Sequence, residues 1–219
     1  MSGRTSGIVF EQECPLVAPV ATIDKSKYHH VCTDTNITWE KVGKIYVPVF
    51  NGTNSSINAG NSNVLDFTYH NFTLIVWAKL FSGLAGNAQL FSRHAWNVSG
   101  WRLGYSRDTG NLTFVTFQAA VNQVTTAAAK VTFDTWCMYS VSRAGNSARI
   151  YRNDEDVVTS AGVHVDPVSD PTRTLYLGSG TVALEISYRL LGGIRILSRY
   201  LDASDIKGIF DDERTLFGI

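Results

Sequence analysis

Residues 71–81, NFTLIVWAKLF, are the stretch that decides the fold of this chain. Side chains alternate between two faces along a β-strand, and both faces of this stretch are apolar. One face carries Phe72, Leu74, Val76, Ala78 and Leu80, and the other carries Ile75 and Trp77. A strand of this kind belongs in a covered interior. The stretch therefore predicts a central strand of a two-sheet sandwich, with other strands beside and across it.

The composition fits one large all-β domain. The chain has 219 residues, of which 44% are hydrophobic and 17% are charged, below the ~25% of an average protein. Lys plus Arg and Asp plus Glu balance at 19 each, so no positive field is available to attract nucleic acid or an anionic membrane. The sequence also lacks a run of about 20 apolar residues that could span a bilayer, which argues against membrane insertion.

Short strand-like runs with turn residues between them follow the central stretch. Residues 134–160 predict a meander of three strands, the first two joined by a tight turn. Upstream, residues 44–60 predict a hairpin of two short strands around an Asn-Gly turn at Asn51 and Gly52. The sequence therefore indicates a sandwich or barrel built from antiparallel strands.

A change of period marks the end of the chain. In residues 202–216 the apolar side chains of Ile206, Ile209 and Phe210 recur at helical spacing. Asp202 or Ser204 can cap the first turn. We expect one short C-terminal helix.

The N-terminal segment, residues 1–22, differs from the rest. Pro15 and Pro19 disfavour a helix and central strand pairing, so the segment predicts an extended arm. We expect it to act as an edge strand or to dock on a partner chain or a second copy, with residues 23–219 as the domain proper. The residues expected to anchor such an assembly are Ile8, Val9, Phe10, Leu16 and Val17.

Three stretches carry a family resemblance. Residues 46–80, YVPVFNGTNSSINAGNSNVLDFTYHNFTLIVWAKL, residues 135–154, TWCMYSVSRAGNSARIYRND, and residues 192–212, GGIRILSRYLDASDIKGIFDD, occur in the order found in laminin-G-like (LamG) domains. The chain resembles this branch of the concanavalin A-like lectin/glucanase superfamily from about residue 24 to residue 214. The resemblance implies an antiparallel two-sheet jelly-roll β-sandwich. Asp154 and Glu155 replace the usual hairpin glycine, which predicts a longer polar loop.

The sequence lacks the catalytic residues that the hydrolases of this superfamily use. A retaining glucanase on this scaffold needs paired carboxylates on one strand, in a run such as E-x-D-x-x-E, and that run is absent. The acidic groups at 154–156 and 211–213 fall in a predicted turn and a predicted helix. No motif frames a nucleophilic Ser or Cys. We expect a protein that is not an enzyme.

Calcium is the one ion that the resemblance suggests as a ligand. LamG-like relatives often bind it through loop carboxylates, and this chain has Asp154, Asp156, Asp166 and Asp170 in predicted loops. These residues lack an ordered ligand spacing. The expectation is therefore no cofactor and no metal site, with Ca²⁺ as the alternative left open.

A cluster of aromatic residues suggests where a glycan could bind. Trp101 and Tyr105 alternate with Leu103 along a predicted strand, which favours core positions for both. Trp96 falls instead in the loop HAWNVSG, residues 94–100. We predict that Trp96, together with His94, forms a glycan-binding site at the rim of the sandwich.

These observations lead to a hypothesis about function. Lectin-like sandwiches ordinarily act outside cells, yet the sequence starts at Met1 without an export signal. We expect a non-enzymatic structural or attachment component on the surface of a virus particle, with a bacteriophage as the expected kind. Its partners would be other virion proteins or copies of itself, bound through the arm in an oligomer, and host glycans. The alternative is a free, secreted carbohydrate-binding protein.

Overall fold

The computed structural model describes residues 6–82, 86–180 and 188–219. Its strands are β1 (Ile8–Gln12), β2 (Thr33–Thr35), β3 (Thr38–Val42), β4 (Ile45–Asn51), β5 (Ser56–Asn58), β6 (Phe72–Leu80), β7 (Asn87–Ala95), β8 (Ser99–Ser106), β9 (Leu112–Gln118), β10 (Val121–Ala127), β11 (Trp136–Ala144), β12 (Ser147–Arg152), β13 (Glu155–Asp156), β14 (Tyr176–Leu177) and β15 (Tyr188–Leu197). The helical elements are α1 (Ala203–Glu213) and two 3₁₀ turns, Asn63–Leu65 and Arg214–Phe217.

The strands form two sheets that pack face to face. The first sheet runs in the order β13-β12-β11-β6-β15-β4-β3, with β1 also paired to β15, and the second runs β10-β9-β8-β7-β14-β5-β2. Every strand pairing among the described residues is antiparallel. The all-β, antiparallel two-sheet sandwich that the sequence predicts is therefore confirmed.

Strand β6 occupies the centre of the first sheet, between β11 and β15, as the sequence predicts. The face that carries Phe72 and Leu74 packs into the main core between the sheets. The face that carries Ile75 and Trp77 packs into a second core on the outer side of the same sheet, beneath the C-terminal helix. The two apolar faces of this strand thus correspond to two separate cores.

The hairpin predicted for residues 44–60 is wrong. Strand β4 pairs with β3 and β15 in the first sheet, whereas β5 pairs with β2 and β14 in the second. The Asn51 side chain accepts hydrogen bonds from the backbone N–H groups of Thr53 and Asn54 at 2.9 Å each. This Asx-type turn carries the chain from one sheet to the other instead of folding it back on itself.

The N-terminal segment contributes a strand of its own. Ile8–Gln12 pairs with the part of β15 that lies beyond the end of β4. Val9 and Phe10, which are 3% and 0% exposed, belong to the main core and are used inside the chain instead of anchoring it to a partner. Leu16 and Val17 are 72% and 76% exposed, so docking stays a prediction for these two residues. Residues 1–5 lie outside the described part.

Helix α1 confirms the change of period seen in the sequence. Its apolar side chains Ile206, Ile209 and Phe210 are buried against the outer face of the first sheet. Asp202 caps the helix, because its carboxylate accepts a hydrogen bond from the Asp205 N–H at 2.9 Å. In the part of the chain that the structure describes, no helix is long and apolar enough to cross a membrane.

Candidate functional site

The turn between β7 and β8 presents an exposed indole. Trp96 lies in this turn with 57% of its surface exposed. Asn97 follows with a φ of 54°, and its backbone carbonyl accepts a hydrogen bond from the Ala120 N–H at 2.8 Å. The Asn122 side-chain amide also donates to Asn97 Oδ1 at 2.8 Å. These bonds tie the β7–β8 turn to the β9–β10 turn, so Trp96 stands on a braced hairpin.

A cation and a second aromatic ring lie behind this indole. The Arg102 guanidinium carbon lies 5.1 Å from the centre of the Trp96 ring and 5.9 Å from that of Phe117. The Trp96 and Phe117 rings are 5.5 Å apart at an interplanar angle of 59°. Arg102 is only 8% exposed, so its attraction to the rings acts in a partly desolvated setting. We call Trp96, Arg102, Phe117 and His94 the aromatic platform.

Strand alternation places the platform on the outer face of the second sheet. Trp101 and Leu103 of β8 point into the main core, so Arg102 between them points away from it. Arg102 lies opposite Ser92 on one side and Val115 on the other, and Phe117 shares the face of Val115. The platform is therefore built independently of the residues that hold the sandwich together.

His94 supports the platform from below. It is 2% exposed, its ring stacks on Phe117 at 4.8 Å and 13°, and its Nδ1 lies 2.9 Å from the Ser92 hydroxyl. Burial, followed by the charges of Arg102 and Arg173, lowers the pKa of His94 to about 3. We predicted that His94 contacts a glycan beside Trp96. The structure instead gives it a positioning role, because a buried ring cannot reach a ligand in solvent.

The segment before β14 fixes the other side of the platform. The Val168 backbone accepts a hydrogen bond from Gly100 N–H at 3.3 Å and donates one to the Phe117 carbonyl at 3.1 Å. Further back, the His164 ring bridges the Thr116 and Thr125 hydroxyls at 2.8 Å each. Burial, then Arg143, lowers the pKa of His164 to about 4. This segment is thus held by a neutral, buried histidine.

The remaining aromatic residues of the predicted cluster are core residues, as expected. Trp101 is 0% exposed and its indole N–H donates to the Leu65 carbonyl at 3.2 Å. Tyr105 is 1% exposed. Of the five tryptophans, Trp96 is therefore the one that offers an exposed ring.

The carboxylates considered for calcium do not come together. Each forms an ion pair with a basic side chain: Asp154 with Lys207, Asp156 with Arg149, Asp166 with Arg143, and Asp170 with Arg173. Within the described ranges no group of three or more His, Cys, Asp or Glu side chains is placed to hold a metal ion. Asp154 and Asp166 tie their segments to α1 and β11, whereas Asp156 and Asp170 pair within their own hairpin or loop.

Arg102 and Phe117 are two platform residues that the sequence alone does not identify. The sequence does carry a signal for Arg102. This residue lies between Trp101 and Leu103, which are predicted to point into the core, so strand alternation places its cation on the outer face. No comparable signal exists for Phe117, because its strand NLTFVTFQ has apolar residues on both faces. Only the pairing of β8 with β9 brings the two residues together.

Comparison with known proteins provides a family and a set of similar structures. The family model Laminin_G_3, described as Concanavalin A-like lectin/glucanases superfamily, matches residues 51–207. No curated protein matches the chain in sequence.

Several solved structures share the fold. The binding domain of Paraclostridial Mosquitocidal Protein 1 superposes with a TM-score of 0.76 at 14% identity, over 95% of this chain and 53% of that chain. The receptor binding domain of botulinum neurotoxin D gives 0.76 at 14%, over 96% and 54%. A structure of botulinum neurotoxin type C, whose cell entry is described as dependent upon interaction with two ganglioside molecules, gives 0.69 at 13%, over 94% and 51%. The chain spans about half the length of each.

Proposed function

We propose that this chain, which belongs to the Concanavalin A-like lectin/glucanases superfamily, is a non-enzymatic binding module that recognises a cell-surface glycan through the aromatic platform. The observation that carries the proposal is the exposed Trp96 ring, 57% accessible on a hairpin braced by Asn97 and Asn122. A large aromatic side chain that is exposed and held in place is an efficient binding surface, since little conformational entropy is lost on contact.

The chemistry of the platform suits a sugar ring. The indole offers a flat apolar surface for the C–H face of a pyranose. Arg102 polarises the ring from within the sheet at 5.1 Å. Asn97 and Asn122, next to the indole, provide amide groups of the kind that pair with sugar hydroxyls. Affinity would come from stacking and hydrogen bonds more than from net charge.

Two further observations support binding over catalysis. The solved structures with the same fold include receptor-binding domains of toxins, one of which depends on gangliosides for cell entry. In this chain, the acidic groups at the end of the sandwich are engaged with basic partners, as Lys207 holds both Asp154 and Asp211. Carboxylates held in this way are not poised as an acid and a nucleophile.

The place where such a module works stays a prediction. Display on a virus particle and free secretion both agree with a glycan-binding surface on one sheet. The exposed Leu16 and Val17 remain the residues expected to attach the module to other virion proteins or to a second copy.

A glycan array tests the proposed function. We expect Trp96→Ala to abolish binding to the glycans that the wild-type chain recognises, because the stacking surface is removed. The matched control is Tyr200→Ala, which removes a 36% exposed ring just before helix α1, on the side of the first sheet, and should leave binding unchanged. Unchanged binding by Trp96→Ala, or equal loss in both variants, would remove the platform from consideration.

A further inference from the structure

Two neighbouring turns at one end of the second sheet expose apolar side chains. The turn between β7 and β8 includes Trp96 and Val98, which are 57% and 49% exposed. The turn between β9 and β10 includes the exposed Ala119 and Ala120 and leads into Val121, which is 50% exposed. We call these five side chains the apolar tips.

The apolar tips keep a common position because the two turns are joined. The Ala120 N–H donates a hydrogen bond to the Asn97 carbonyl at 2.8 Å, and the Asn122 side-chain amide donates to Asn97 Oδ1 at 2.8 Å. These bonds use polar groups of the turns internally, so the surface that the turns offer to solvent is mainly apolar. The tips therefore form a single apolar edge.

The two ends of these hairpins differ in charge. Residues 95–99, AWNVS, and residues 118–122, QAAVN, contain no Asp, Glu, Lys, Arg or His. The turn at the opposite end, residues 107–111, reads RDTGN and carries both an acid and a base. Apolar surface at a turn is thus a property of one end only.

A second exposed aromatic ring lies at the same end of the sandwich. Phe72 begins β6 and packs on Trp101, near the start of β8, with the ring centres 5.6 Å apart. Tyr69, which precedes Phe72 by three residues, is 81% exposed. Exposed Trp and Tyr are enriched where a protein meets the headgroup layer of a membrane, because their rings are apolar and their N–H or O–H groups are polar.

We propose that the apolar tips seat in the headgroup layer of a phospholipid bilayer, with Val98 and Val121 at the boundary of the acyl chains and the Trp96 indole among the headgroups. The contact involves one leaflet, so it needs no membrane span. The proposal rests in part on the proposed function, since a platform that binds a cell-surface glycan holds the neighbouring tips close to the lipid.

A lipid surface fits the apolar tips better than a protein partner does. The exposed fractions of the five side chains amount to on the order of 400 Å², about half of the ~800 Å² that each partner contributes to a standard protein–protein interface. A bilayer needs no matching shape. The charged residues linked to the start of β8, Asp170 and Arg173, pair with each other at 2.7 Å and add no net charge. A zwitterionic lipid is therefore the expected surface.

Cosedimentation of the full chain with vesicles of palmitoyl-oleoyl phosphatidylcholine, free of any glycan, tests the proposal. We expect a bound fraction that rises with lipid concentration. The combined variant Val98→Asp, Val121→Asp should lower the partition coefficient roughly tenfold or more, because two carboxylates would have to leave water. Thr109→Asp, a change at an exposed residue of the opposite turn, is the matched control and should bind as the wild type does.

The reverse change tests the same contact without adding a charge. The combined variant Val98→Leu, Val121→Leu enlarges the apolar surface and should raise the partition coefficient. In vesicles that carry a spin-labelled lipid, the NMR amide signals of Val98 and Ala120 should lose intensity, while that of Thr109 should keep it.

Binding of a soluble glycan separates this proposal from the proposed function. The variant with two aspartates should bind a glycan selected on the array as the wild type does, because neither residue belongs to the aromatic platform. A wild-type chain that binds the vesicles but no glycan would refute the proposed function and leave the lipid contact standing.

Three results would overturn the lipid contact. The first is a wild-type chain that does not partition into the vesicles. The second is a partition coefficient that neither the aspartate nor the leucine variant changes. The third is a loss of self-association, instead of vesicle binding, in the aspartate variant, which would assign the apolar tips to a second copy of the chain.

Discussion

The aromatic platform and the recess between β1 and the C-terminal segment, which is lined by Glu11, Arg195, Glu213 and Phe217, differ in almost every physical respect. The platform is an exposed ring on a hairpin of the second sheet, with the cation of Arg102 behind it. The recess lies on the first sheet, and its carboxylates outnumber its guanidinium. One surface exposes an aromatic ring to solvent, and the other pairs Arg195 with Glu213 beside the second core.

The two surfaces depend on the fold in different ways. The platform uses side chains from neighbouring hairpins, and none of these side chains belongs to the main core. The recess is joined to the second core, because Trp77 stacks on Phe217 and also donates a hydrogen bond to Glu213. Substitution of the exposed Trp96 should therefore affect mainly ligand binding, whereas substitutions beneath the recess should also affect folding.

Two tryptophan substitutions give the largest expected contrast. Trp77→Ala should lower the free energy of unfolding by about 3–5 kcal/mol, because it empties a fully buried position and removes the stacks on Phe210 and Phe217. Trp96→Ala should cost less than about 1 kcal/mol, since its ring is mostly exposed. Urea denaturation of both variants measures the difference. Equal losses would contradict the separation of the platform from the cores.

Acid should act with opposite sign on His164, in the segment before β14, and on Glu11, in β1. His164 has a folded-state pKa lowered to about 4 from 6.5, so the unfolded chain binds a proton more readily, and stability falls as the pH drops from 6.5 towards 4. This histidine alone can contribute about 3 kcal/mol across that window. Burial raises the pKa of Glu11 above 4.5, so this group instead adds stability as the pH falls through its folded pKa.

Unfolding free energies measured between pH 7 and pH 4 check these signs. His164→Gln should flatten the loss of stability towards acid, whereas Glu11→Gln should steepen it slightly. His70→Gln, a change at an exposed histidine, is the control and should leave the curve unchanged. A wild-type curve parallel to that of His164→Gln would refute the assigned role of His164.

The features that can be predicted from the sequence are those set by the alternation of side chains along a single strand. The two-faced stretch 71–81 identified the central strand, and the spacing of Trp101, Leu103 and Tyr105 identified core residues, because side-chain direction along a strand repeats every two residues. The exposure of Trp96 followed from its place in a turn. These features need no knowledge of which strands are neighbours.

What the sequence missed depends on pairing between distant segments. The Asn-Gly signal at residue 51 fits a hairpin locally, but β4 and β5 each find better partners in different sheets. The recess joins Glu11 to Arg195 and Glu213, residues that are close only because β1 pairs with the end of β15. Such competition between long-range partners cannot be read from one segment.

The central claim, that Trp96 is the ligand-contacting residue of this module, can be tested directly through its five tryptophans. Each indole N–H gives a separate NMR signal, and the signals can be assigned by single Trp→Phe substitutions. On titration with a glycan selected on the array, the account predicts a saturable shift of the Trp96 signal, while those of the buried Trp77, Trp101 and Trp136 stay in place. A glycan that binds while the Trp96 signal does not move, or that shifts Trp39 instead, would contradict it.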